Sequence, residues 1–270
     1  MRLPHTRILY ASLLALFLSL TLARVHPFGD AGLFAAPRSQ PPQLPASIPP
    51  AARAILAASC ADCHSTPARA PCYGHFAPIS WLLERDILDA RSHLNLSQWD
   101  HNSPDQQQVL LAEIAQQVRA GHMPPPQYLL IHRNARLTPA EISTLLAWAH
   151  STSAAQPLPP DPARDAQLAE GNSENGKDLF NRRCTGCHSL TDNHEGPRLG
   201  NVYGRPSASV PGFPYSAALI AAHITWNEQT LDRWLTDPDA FLPGNNMDFL
   251  VTRPQERADI IAFLKASSSH

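Results

Sequence analysis

The chain predicts an all-α fold of two small helical domains joined by a proline-rich linker. Three observations carry that reading. Apolar residues recur at helical spacing behind Ser/Thr-Pro openings, and no stretch alternates apolar and polar residues as a half-buried strand would. Many of the 27 prolines crowd into two stretches, PRSQPPQLPASIPP (37–50) and STSAAQPLPPDPARDAQ (151–167). Such composition cannot build a packed core and reads as stiff, extended linker. The organisation that follows is a leader over 1–24, a linker over 25–50, a domain over 51–150, a second linker over 151–170 and a second domain over 171–270.

The elements follow in chain order. MRLPHTR is short and basic, and residues 8–23, ILYASLLALFLSLTLA, form an uncharged apolar run of sixteen residues. That is slightly long for a signal core and short for a comfortable membrane span, so a cleaved signal peptide and a retained single membrane anchor are both open. In the first domain, Ser103-Pro104-Asp105-Gln106 is a capping box. Leu110, Ile114 and Val118 continue its helix until Gly121 stops it. Thr138-Pro139-Ala140-Glu141 opens a helix with Ile142, Leu145, Leu146 and Ala149 on one face. In the second domain, Thr225 with Glu228 and Thr252 with Gln255 are read as boxes. They precede helices carrying Leu231, Trp234 and Leu235, and Ile260, Phe263 and Leu264.

Four of the five cysteines lie in two copies of one pattern: Cys60-Ala-Asp-Cys63-His64 and Cys184-Thr-Gly-Cys187-His188. C-x-x-C-H is the attachment signature of c-type haem, in which two thiols bond to the porphyrin edge and the next histidine ligates the iron. A redox C-x-x-C needs a βαβ context that neither copy has. Zinc needs four clustered ligands, whereas each pair here has its own histidine. Two covalently bound c-type haems are therefore expected, and each domain is about the size a haem can help fill as core. Cys72 is left over, and its plain reading is a small buried apolar residue.

Methionine is the usual sixth ligand in electron carriers. Beyond Met1 the chain has only Met123 and Met247. The intervals from His64 to Met123 and from His188 to Met247 are both 59 residues, and both methionines sit in proline-bearing loops before a capped helix. They are the expected partners of the two histidines. For the first haem, His122 is the runner-up, with His75, His93, His101 and His132 also available. With 21 basic against 23 acidic residues and no basic run, nucleic acid is excluded as a partner class.

The second segment resembles mitochondrial-type, class I cytochrome c. The resemblance rests on GKDLFNRRCTGCH, GPRLGNVYGRPSASVPGFPYSAAL, ITWNEQTLDRWLTDPDAFLPGNNM and RADIIAFLKAS, which span Gly176 to Ser267 almost continuously. It implies that His188 and Met247 are axial ligands and that the Pro197 carbonyl orients the histidine. It also implies that Arg205, Tyr215 and Trp226 sit near a haem propionate, and that Gly176 and Phe180 pack on the last helix through Ile260 and Phe263. Trp234 stands where the family usually has a tyrosine near the methionine sulfur, Asn245 where it often has threonine, and Leu219 where it often has asparagine. Where mitochondrial members ring the haem edge with lysines, this chain offers Asp237, Asp239 and Asp248.

The first segment is similar to a family of small bacterial haem-binding domains. The resemblance is carried by CADCHS, APISW (77–81), ARSHLNLSQW (90–99) and GHMPPPQYLLIH (121–132). Cys72 takes the place of the aromatic residue that commonly precedes the tyrosine equivalent to Tyr73, which makes it a packing residue.

Together these readings imply an exported, periplasmic dihaem cytochrome that passes single electrons between redox proteins and is not an enzyme. A dihaem peroxidase, or a haem-based sensor with an open site in the first domain, is the alternative. The polar stretch RSHLNLSQWDHNSPDQQQ predicts that the first haem is the more exposed and lower in potential.

Overall fold

The computed structural model describes residues 4–35, 42–69, 71–154 and 171–268. Among these residues the chain is helical, without strands and with one isolated antiparallel bridge between Pro206 and Thr225. The all-α prediction holds. Residues 36–41 and 155–170, which hold parts of both proline-rich stretches, lie outside the described residues. The chain divides into two compact units, 1–101 with 132–136, and 102–131 with 137–270.

The first unit contains α1 (Pro4–Leu22), α2 (Pro50–Ser59), α3 (Ala61–His64) and α4 (Ile79–His93), with 3-10 turns at Cys72–His75 and Leu96–His101. Proline at the first position of α2 costs no hydrogen bond there, and Ala52, Ile55 and Leu56 share its buried face. Within the stretch read as linker, Ala31, Leu33 and Ile48 are buried. Ala31 and Leu33 join Ala68 and Ile87 in a small core, edged by Phe34, Cys63, Leu83 and Leu88. Local composition explains the first two, since residues 23–35 hold a single proline, Pro27, and keep enough apolar side chains to be buried. Arg91 ties the segment down by donating to the Ala31 carbonyl at 2.8 Å. Among the described residues no helix is long and apolar enough to cross a membrane, although α1 exposes most of its large apolar side chains.

Cys72 corrects the sequence reading. It opens a 3-10 turn behind Pro71 and is exposed, while Gly74 is the buried residue of that turn. The packing position expected of Cys72 is therefore not where its side chain lies.

The second unit contains α5 (Pro104–Arg119), α6 (Pro126–Leu129), α7 (Pro139–Ala154), α8 (Ser173–Arg183), α9 (Ala217–Ala221), α10 (Glu228–Thr236), α11 (Pro238–Phe241) and α12 (Pro254–Ala266). The capping box of α5 forms as read: Ser103 Oγ accepts from the Gln106 N–H, and Gln106 Oε1 accepts from the Ser103 N–H. Gly121, at φ +70°, ends the helix. Thr138 and Glu141 cap α7 in the same way.

The other two boxes are not formed. Asn227, extended at φ −129°, caps α10 through the Thr230 N–H, while Thr225 is drawn into the bridge with Pro206. α12 starts at Pro254, which has no N–H to cap, behind Arg253. The Gln255 side chain instead donates to Asp259.

α8 and α12 make the tightest pair in this unit. Gly176 is where they cross, because a Cβ there would overlap the Asp259 carbonyl. The Phe180 and Phe263 rings stack one step along, with centroids 5.3 Å apart. Around them Leu179, Val202, Trp226, Leu231, Leu235, Val251 and Ile260 form the main core. This core positions the second candidate site.

Candidate functional site

Both C-x-x-C-H copies fold alike. In the first, the Cys63 and His64 N–H groups both turn back onto the Cys60 carbonyl, at 3.2 and 3.0 Å. In the second, the Cys187 and His188 N–H groups turn onto the Cys184 carbonyl, at 3.1 and 2.8 Å. One helical turn thus sets two thiols and an imidazole on a single short stretch of backbone. Burial pushes the Cys60 and Cys184 thiols up to about 12, so neither is a ready thiolate of the kind that redox cysteines present.

The histidines are oriented by the same device. His64 Nδ1–H donates to the Leu94 carbonyl at 2.9 Å, and His188 Nδ1–H donates to the Pro197 carbonyl at 2.8 Å. A carbonyl can only accept, so in each neutral ring the proton sits on Nδ1 and the Nε2 lone pair is left for a metal. Burial lowers both imidazole pKa values and keeps the rings neutral. Gly196 is needed beside the second ring, since a Cβ there would run into the imidazole.

The second copy opens into a cavity of about 300 Å³. Cys184, Cys187, His188, Arg205, Tyr215, Trp226, Trp234 and Met247 all line it. Trp234 Nε1–H donates to the Met247 sulfur at 2.9 Å, and its indole is held by edge contacts with Trp226 and Phe241. Asn245 Oδ1 accepts from the Met247 N–H at 2.6 Å and fixes the loop that carries the sulfur. Arg205, whose pKa burial lowers, donates to the Gly200 and Arg198 carbonyls. Tyr215 Oη accepts from the Val210 N–H.

Known proteins match this arrangement in two blocks. Residues 173–268 match the cytochrome c family, and residues 31–151 match a family described as a haem-binding domain. The cytochrome c of Chlamydomonas reinhardtii is 38% identical over 108 residues, which is 38% of this chain and 96% of that protein. The cytochrome c of Euglena viridis is 42% identical over 98 residues, 35% of this chain and 96% of that protein. Among solved structures, cytochrome cH from Methylobacterium extorquens is 35% identical, covering 36% of this chain and 99% of its own, at a TM-score of 0.34.

The chain belongs to the cytochrome c family. It is a two-domain cytochrome with a haem-binding domain preceding the cytochrome c domain, and it carries covalently bound c-type haem, two haems fitting the two domains. Its function is electron transfer. The residues present fit the group: paired, half-buried thiols, an imidazole with a free Nε2, and at the second site an apolar cavity with a thioether in its wall. Bound there, haem supplies a one-electron iron couple. The residues that would hold it are Cys184, Cys187 and His188, with Met247 as a further donor, and the apolar wall would keep water from it.

Not every predicted residue lies in such a setting. Met123 is 36% exposed, belongs to the second unit and is not in the wall of the second cavity, whereas its neighbour His122 is. Sequence reasoning missed the Leu94 carbonyl, although LNLSQW follows α4 much as the Pro197 turn follows the second motif. It also missed Val109, Ala112, Gln116 and Arg119 of α5 as walls of the second cavity. Only their spacing on one helix face hinted at burial.

Proposed function

We propose that this cytochrome is an exported electron carrier whose two irons are both six-coordinate, with His64 on the first and His188 and Met247 on the second. It passes single electrons between redox proteins on the outer side of the cytoplasmic membrane. The observation that carries this reading is the second cavity, where a carbonyl-oriented His188 and a hydrogen-bonded Met247 line one apolar space. A site that must bind a substrate at iron would need an open position and acid–base groups over it. Export is supported by the basic start and apolar run of residues 1–24, and by haem attachment being an extracytoplasmic process.

The ferric spectrum of the haem-loaded chain tests the reading. Low-spin signals should account for both irons, with the weak far-red band of methionine ligation present for the second. A high-spin signal from either haem would point instead to an open, peroxidase-like site.

A further inference from the structure

We propose that α5 and the turn after it, residues 104–122, are a partner built into the chain for the cysteine side of the second haem site. That edge is then closed to an external redox protein. The inference rests on the electron-carrier reading. By sequence this segment falls inside the haem-binding-domain match, yet it packs within the unit that holds the cytochrome c core.

Contact with the attachment motif itself comes first. Gly186 lies between the two haem cysteines, and a Cβ built on it would meet Glu113 Oε1 at 2.6 Å and Val109 Cγ1 at 2.8 Å. The helix therefore lies directly on the motif, with no layer of water between. Ala112 is buried in the cytochrome c core, and Val109 packs against it.

Polar ties then fix α5 along its length. Gln108 donates to the Leu250 carbonyl at 2.9 Å and accepts from Arg183. Gln116 donates to the Glu195 carbonyl at 2.9 Å. Arg119 donates to the Asn245 carbonyl at 3.0 Å and meets Asp248 Oδ1 at 2.7 Å. This last contact is an ion pair rather than an aligned hydrogen bond, since neither Asp248 oxygen has a hydrogen-bond partner among the described residues.

Asp248 decides whether the contact is transient. Its side chain is fully buried beside Met247, and the Arg119 guanidinium and the His150 imidazole against it both come from the segment that precedes the cytochrome c domain. Withdrawing them would strand a buried carboxylate, the costly case for a charge pair. Surfaces that exchange partners keep their charges at a hydrated rim instead. A protein-sized reductant must therefore reach the second haem at another face.

The test is stopped-flow reduction of the haem-loaded full chain, following the second haem, with dithionite as the small reductant and a reduced single-domain c-type cytochrome as the large one. Failure of dithionite to reduce a haem on Cys184 and Cys187 would sink the carrier reading itself. If that haem is reduced, the ratio of the protein rate to the dithionite rate should rise about tenfold when α5 is loosened by Ala112→Asp, or by Gln116→Ala with Arg119→Ala. An unchanged ratio in a variant whose α5 amides exchange faster would overturn the inference. Amide exchange of the unaltered chain decides the matter should the variants not load haem. Residues 109–119 should exchange as slowly as α8, and rapid exchange there contradicts a fixed cap.

Discussion

The two haem sites share a local device and differ in what surrounds it. At both, a single helical turn sets two thiols and a histidine whose Nδ1–H is held by a carbonyl, from Leu94 at one and Pro197 at the other. Around the second, an aromatic cavity holds Met247, with an indole N–H on its sulfur. Around the first, Cys63 edges a small core of Ala31, Leu33, Ala68 and Ile87, and Ile55, Leu56, Ala61, Leu96 and Trp99 of the same unit are buried as well. Haem attachment is thus encoded within a few residues, while the carbonyl that orients the histidine comes from 30 residues downstream at the first site and nine at the second. The distal half of a site depends on long-range packing, and it is there that one cytochrome can carry two unequal irons.

The largest break in that comparison should come from Met247→Ala. Loss of the sulfur should lower the midpoint of the second haem by on the order of 0.2 V, within the range that axial ligands span, and leave the first haem's midpoint in place. A potentiometric titration reads both. Gly176→Ala attacks the scaffold rather than the ligand. Its Cβ would overlap the Asp259 carbonyl, so the α8–α12 crossing must open, at a cost of about 3 kcal/mol in denaturant unfolding. A cost near zero would mean that the crossing does not hold the site.

Trp234→Phe keeps the aromatic contacts and removes the donor to sulfur. Losing a hydrogen bond of about 1 kcal/mol makes the sulfur a better donor to ferric iron, which lowers the second midpoint by about 40 mV. The smallest effect concerns Glu113, whose carboxyl is pushed up to about 7 by burial and by Glu195. The folded state then binds that proton more tightly than the unfolded chain does. Its stability contribution is fully present below the ordinary carboxylate pKa of 4.5 and is lost as pH rises to about 7. Glu113→Gln should flatten this decline, read as melting temperatures at pH values on either side of that window.

Much of this was legible from short-range signals. SPDQ and TPAE specify caps because the side chain and the backbone group it satisfies lie three residues apart. C-x-x-C-H is equally local. The reading failed where a competing local partner won: Thr225 bridges Pro206, and Asn227 takes the cap instead. Cys72 was assigned to packing by its place in a pattern, while its exposure follows from the turn behind Pro71. The role of α5 was illegible for a different reason. Its periodicity announces a buried face, but nothing in sixteen residues says that the face will lie on Gly186, more than sixty residues downstream.

The central claim is that the two sites are unequal, with the second enclosed and methionine-tuned. A potentiometric titration of the intact, haem-loaded chain tests it most directly, with the two haems resolved by their low-temperature absorption bands. We expect two one-electron steps, the haem on Cys60 and Cys63 having the lower midpoint, so that electrons run from it to the haem on Cys184 and Cys187. Coincident midpoints, or the higher one at the Cys60 and Cys63 haem, would contradict the account.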